Sequence, residues 1–214
     1  MSTVKESSDE LNPAVAIPAT EIAPRLKRTV SDYIALAIAT CGVGYFPIAP
    51  GTLGSLVGVA LYVTLRMLTG SLMDRLSRVG TLSWPHPEIG FLAVELVTIA
   101  LVTLIGIWAA SRAERIFQKK DPGKVVIDEV AGQLIALLPI PLAFPSATLF
   151  WVIVAFLLFR AFDIVKPYPI RRLEALESGL GIVADDLGAG AYAAILISIP
   201  IALASFLQYL PDVF

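Results

Sequence analysis

The stretch WVIVAFLLFRAFDIVKPYPIRR, residues 151–172, decides how this chain is read. It opens with nine apolar residues, Trp151 to Phe159. Arg160, Asp163 and Lys166 then fall within seven positions, and Pro167 and Pro169 follow. A run suited to hydrocarbon therefore ends in ionisable groups, each costly at membrane depth and usually a mark of function. Two questions follow: whether the run lies in a bilayer, and what its charges meet there.

Composition answers the first. Apolar types make up 57% of the 214 residues and charged types 16%, against about 45–50% and about 25% in soluble domains. The mean hydropathy is +0.78. A soluble fold could not cover that much apolar surface, so the expectation is an all-α, polytopic membrane bundle. A net charge of −2 with no basic block gives no reason to expect a nucleic-acid partner. The single cysteine, Cys41, excludes an intramolecular disulfide framework, and the single histidine, His86, excludes a multi-histidine metal site. Residues 1–29, polar and rich in Pro and Ala, read as a flexible cytoplasmic tail, leaving 30–214 as the membrane-embedded domain.

A hydrocarbon core about 30 Å thick takes about 20 helical residues. Segments 52–69, 89–110, 146–165 and 187–208 qualify. A fifth, 125–143, is apolar after Asp128 and Glu129 and is broken late by Pro139 and Pro141. Residues 33–40 are apolar but too short, which predicts a re-entrant or interfacial helix. The expectation is thus about five spans plus that short N-terminal helix. Basic residues orient them. With SRAERIFQKKDPGK (111–124) in the cytoplasm, every Lys and Arg except Arg66, Arg75 and Arg78 falls on or near that side. In this frame the loop PIAPGTLGS (47–55), Asp128 and Glu129, the trio Arg160, Asp163 and Lys166, and the pair Asp185 and Asp186 all reach the cytoplasmic leaflet.

Five carboxylates gathered there could not all stay ionised without a compensating cation. An all-oxygen donor set suits Mg²⁺, Mn²⁺ or Ca²⁺ rather than zinc. Arg160, Lys166, Arg171 and Arg172 are the groups that hold a phosphate dianion. The turn Pro50-Gly51-Thr52 would open a helix whose free N–H groups face an anion, with the Thr52 and Ser55 hydroxyls beside them. Together these describe a site for phosphoryl transfer. Plainer readings exist for each part. Gly51, Gly54 and Gly58 also permit close helix packing. Arg160 and Asp163 also form an intrahelical pair. Lys166, Arg171 and Arg172 also serve as topology signals, and Asp185 also caps a helix. Only convergence of separate segments sets the functional reading apart from these. Glu95 stays outside the site as a structural acid or a hydrogen bonder between helices. Cys41 has no arginine six residues on, so a cysteine-phosphatase loop is absent, and a histidine nucleophile lacks its partners.

GVGYFPIAPGTLGSL (42–56), KVVIDEVAGQLIAL (124–137), FRAFDIVKPYPIRRLE (159–174) and GLGIVADDLGAG (179–190) resemble, in order, the signature blocks of the phosphatidylglycerophosphatase A family. PGTxGS alone is weak; the DE, FRxxD…KPxP and DDxxAG elements at these spacings are specific. The resemblance implies a Mg²⁺-dependent lipid phosphatase of the bacterial inner membrane. Its reaction removes the terminal phosphate of phosphatidylglycerophosphate to leave phosphatidylglycerol. It also implies that Asp128, Glu129, Asp163, Asp185 and Asp186 are the acidic motif residues, and that Thr52, Arg160 and Lys166 lie on the phosphate side. The long N-terminal tail departs from the family pattern.

The candidate set is therefore Asp128, Glu129, Asp163, Asp185 and Asp186 for metal and catalysis, with Lys166 beside them. Thr52, Ser55, Arg160, Lys166 and Arg171 are the candidates for the phosphate. A CDP-alcohol phosphotransferase would need a DGxxAR…G…D…D pattern, which is not present. A phosphate or cation transporter would carry its charges near the midplane on broken, paired helices.

Overall fold

A computed structural model of the chain describes residues 28–79, 87–140 and 145–209. Most of the expected tail (1–27), His86 and Pro141 lie outside the described residues. Among the described residues seven α-helices run in order: α1 Val30–Thr40, α2 Pro50–Arg78, α3 Pro87–Phe117, α4 Ile127–Leu137, α5 Pro145–Val165, α6 Ile170–Leu173 and α7 Ser178–Tyr209. No strand occurs among the described residues.

Four of these helices, α2, α3, α5 and α7, are long and apolar enough to cross a bilayer. Large side chains such as Leu101, Leu104, Leu157, Leu203 and Phe206 stand exposed on them. In water that would be a liability; in a membrane it is the lipid-facing surface. The chain is a helical membrane protein, as its composition implies.

The expected span at 125–143 takes a different form. It yields the 11-residue α4, about 17 Å long and too short to cross. Asp128 and Glu129 in its first turn and Pro139 just after its end confine it. Nine of its eleven residues are buried, because it packs against α2, α3, α5 and α7. It is the hub of the bundle rather than a member of the ring.

Glycines make that hub possible. A Cβ built on Gly54 or Gly58 of α2 would lie 2.8 Å from Val126 or 2.9 Å from Gln133. One on Gly132 of α4 would lie 2.5 Å from the Asp186 carbonyl oxygen and from the Phe159 ring. For Gly54 and Gly58, close helix packing is thus the right account.

Helix α1 lies against α3. Thr29 and Asp32 form a capping box at its start. Arg112 of α3 donates to Asp32 Oδ1 at 2.7 Å, which ties α1 to the end of α3. Its outward residues Val30, Tyr33 and Ile34 are exposed, in keeping with the short apolar helix expected here. Beyond α1, Gly44 packs under the Lys124 carbonyl, and the Val126 N–H donates to the Ala39 carbonyl at 2.8 Å. The connection leading into α4 is thereby fastened to α1.

Gly132→Ala is expected to destabilise the protein by about 1–3 kcal/mol or to prevent folding, because backbone stands where the methyl would go. Gly70→Ala, whose nearest neighbour is the Phe91 ring at 3.8 Å, should be neutral or slightly stabilising. Thermal unfolding of both variants in detergent checks this.

Candidate active site

At the end of the bundle where α2 begins and α5 finishes lies a cavity of about 760 Å³. Its wall is drawn from α2 (Pro50, Gly51, Thr52), the α3–α4 connection (Lys120, Asp121), α4 (Asp128, Glu129), α5 (Arg160, Asp163), the turn and short helix after α5 (Lys166, Arg171, Glu174) and α7 (Asp185, Asp186). The charges of the opening stretch thus meet acids from two other helices. The backbone is strained where it borders this space. Ala49, Asp121 and Lys166 all line it, and all have positive φ, between 46° and 48°. Left-handed geometry costs a non-glycine residue about 1–2 kcal/mol, and such residues cluster at functional sites.

The five acids divide into two kinds. Asp163 and Asp185 have cations of their own. Arg160 Nη1 lies 2.7 Å from Asp163 Oδ2, close enough for an ion pair though not aligned as a hydrogen bond. Lys166 Nζ donates to Asp185 Oδ2 at 2.7 Å and stands 3.4 Å from Glu174. Burial works against the Lys166 ammonium, but the hydrogen bond and charge of Asp185, helped by Glu174 and Asp163, outweigh it and raise its pKa above the ordinary lysine value. Lys166 is therefore a fixed positive charge and a poor proton donor at neutral pH.

Asp128, Glu129 and Asp186 have no ion-pair partner among the described residues. One carboxylate oxygen from each lies within 4.8 Å of the other two. Asp128 Oδ1 and Glu129 Oε2 are buried without a hydrogen-bond donor among the described residues. Partnerless, mutually facing carboxylate oxygens are the donor set that a hard divalent cation accepts, so the residues fit a metal of the Mg²⁺ type.

The first turn of α2 closes the opposite side. Ala49, in the left-handed region, starts the helix, and Pro50 stands at its first position. Gly51 has no room for a side chain: a Cβ would run into Glu129 Oε1 and lie 3.2 Å from Arg160 Nη2. Thr52 lines the cavity as expected. Ser55 does not. It is fully buried, and its hydroxyl donates to the Gly51 carbonyl at 3.0 Å, one turn back along α2. Arg171 is at the exposed rim, while Arg172 turns away and donates to the Tyr168 hydroxyl at 3.2 Å. Asp185 is no helix cap, since α7 starts seven residues before it.

The sequence reading missed Lys120, Asp121 and Glu174, all of which line the cavity. Lys120 sits in a basic segment read only for topology, and Glu174 directly follows the IRRL helix; nearness in sequence to DE and to FRxxD was the available signal. Gln133, one turn below Glu129, is fully buried with neither amide atom partnered among the described residues. A lone polar residue in the apolar run VAGQLIAL was its signature.

The sequence matches the phosphatidylglycerophosphatase A family over residues 36–201, which takes in every cavity-lining residue named above. The chain belongs to the phosphatidylglycerophosphatase A family. Among curated relatives, a protein of Haemophilus influenzae named phosphatidylglycerophosphatase A is 35% identical, over 83% of this chain and 94% of its own length. Its Escherichia coli namesake is 29% identical over 72% and 74%. A Bacteroides thetaiotaomicron protein named a putative phosphatidylinositol-3-phosphatase is 36% identical over 74% and 87%. No solved structure matches. As a member of this family the chain is a membrane-bound phosphatase with a phospholipid substrate.

Gly51→Ala is expected to push the Glu129 carboxylate aside and lower activity about 10–100-fold, the range for disturbed outer-shell contacts of a metal site. Because the methyl meets side-chain ends rather than backbone, thermal stability should change little. Activity and unfolding measured on the same preparation test both halves.

Proposed function

We propose that the protein hydrolyses the terminal phosphomonoester of phosphatidylglycerophosphate, yielding phosphatidylglycerol and inorganic phosphate, with Mg²⁺ bound by Asp128, Glu129 and Asp186. The observation that carries this is the trio of clustered carboxylates, two of them with buried unpartnered oxygens among the described residues, that shares one cavity with Arg160 and the start of α2. The names of the Haemophilus and Escherichia relatives support the substrate.

The substrate's phosphate sits at headgroup depth while its acyl chains stay in lipid. A cavity bounded by helix ends receives that phosphate without lifting the lipid out. Arg160, steadied by Asp163, offers a planar fork of donors to two phosphoryl oxygens. Lys166, steadied by Asp185, adds a fixed charge, and the N–H groups and Thr52 hydroxyl of the first turn of α2 face the same anion. Mg²⁺, when bound, neutralises the phosphoryl oxygens and makes water a stronger nucleophile. In the reaction a bond forms from the water oxygen to phosphorus, the bond from phosphorus to the glycerol oxygen breaks, and that oxygen takes up a proton. Charge neutralisation and alignment are the main work of phosphoryl transfer, and both are built into these walls. The excess of basic residues flanking the cavity supports an orientation in which it opens to the cytoplasmic leaflet of the bacterial inner membrane.

The name of the Bacteroides relative raises one competing substrate, phosphatidylinositol 3-phosphate. Both lipids are terminal phosphomonoesters beside a phosphodiester, so the cavity chemistry suits either.

In detergent micelles the protein should release phosphate from phosphatidylglycerophosphate faster than from phosphatidylinositol 3-phosphate, and chelation should stop release until Mg²⁺ is restored. Asp128→Asn and Asp186→Asn should each lower the rate by more than about a hundred-fold, exceeding the loss expected of outer-shell partners. Chelator-resistant release, or the opposite lipid preference, would refute the assignment.

A further inference from the structure

Helix α4 carries two of the three clustered acids, yet its lateral seat says little about its height in the bundle. Against α2 it rests on Gly54 and Gly58, and against α7 its own Gly132 rests on backbone. Such faces govern how near the helices lie more than how far one has slid along another. Height depends on directional contacts at the two ends. At the top, the Val126 N–H donates to the Ala39 carbonyl at 2.8 Å. At the bottom, Arg66 Nη2 of α2 donates to the Ile140 carbonyl at 3.1 Å, three residues past the end of α4.

Arg66 does not stand alone. Its Nε is ion-paired with Glu95 of α3, and its guanidinium lies 4.7 Å from the centre of the Tyr62 ring. The two charged side chains are only 14% and 7% exposed. Glu95 is thus a hydrogen bonder between helices, as its sequence allowed, and Arg66, in the second half of α2, is its buried partner. The pair is remote from the cavity, because Arg66 follows Thr52 by 14 residues, about 21 Å of helix. Buried ion pairs often add little stability over apolar residues of the same size, so stability alone does not explain charges at this depth. A cation at the carbonyl end of α4 also suits its dipole.

We infer that Arg66 and Glu95 are positioning residues: bridging α2 and α3, they pin the lower end of α4 and thereby set the depth at which Asp128 and Glu129 meet Asp186. This rests on the reading of those acids as a metal site.

The test compares Arg66→Met, the double variant Arg66→Met/Glu95→Met, and Arg66→Lys. The single Met variant strands the Glu95 charge and should lose folded protein. The double variant removes both charges and should give wild-type folded yield. Even so, its Mn²⁺ affinity, read by electron paramagnetic resonance, should fall about ten-fold and its kcat by a similar factor, with KM within about two-fold. Arg66→Lys keeps the charge but not the fork that reaches Glu95 and the Ile140 carbonyl together; it should fold and show the same two losses, which keeps the test decisive if the double variant does not fold. Wild-type Mn²⁺ binding and kcat in either folded variant would overturn the inference. Failure of the wild-type protein to release lipid phosphate would instead remove the proposed function, and the Mn²⁺ comparison would still judge the pin.

Discussion

Acids brought together in a medium poor in water must each find a positive charge, and most of this structure follows from that constraint. Asp163 finds Arg160 on its own helix, and Asp185 finds Lys166 across the bundle. Asp128, Glu129 and Asp186 form no ion pair among the described residues, and Asp128 Oδ1 and Glu129 Oε2 are buried there without a hydrogen-bond partner. The fold nonetheless holds these three together, through a helix with nine of eleven residues buried and glycines that let neighbours approach to backbone distance. Keeping unpaired charges adjacent opposes stability. It makes sense where an ion and a phosphate complete the set, which accords with membership of a phosphatase family.

The same logic sorts the basic residues. Arg160 and Lys166 are each engaged by a carboxylate, which fixes their direction, while Lys120 and Arg171 stand exposed at the rim. Inner cations are thus oriented by acids, and outer ones are open to solvent. Arg66 and Glu95 follow the rule as well, far from the cavity, where each is the other's counter-ion.

Much of this was legible in the residues. The four long spans and the short N-terminal helix follow from apolar run lengths, and the meeting of PGT, DE, FRxxD, K and DD at one end follows from where those runs stop. Other features depend on neighbours that no local pattern reveals. Segment 125–143 has the composition of a span, but its charged start and late prolines leave only a short helix, sheltered by others. α7 starts nine residues earlier than hydropathy suggests, because Asp185 and Asp186 point inward and pair or cluster instead of ending the helix. Ser55 looked available until its hydroxyl turned back to its own backbone, as serines in apolar helices do. Glu95 could not be read without Arg66, 29 positions away.

A central helix of 11 residues has a consequence for biogenesis. Segments of this length are poor candidates for independent entry into a bilayer, so α4 depends on α2, α3, α5 and α7 for its surroundings. Two of those helices, α5 and α7, are made after it. Newly synthesised chain therefore carries Asp128 and Glu129 in a segment without its shelter until the last span is in place. Because Asp186 comes from α7, the three-acid cluster closes only once that helix has joined α4.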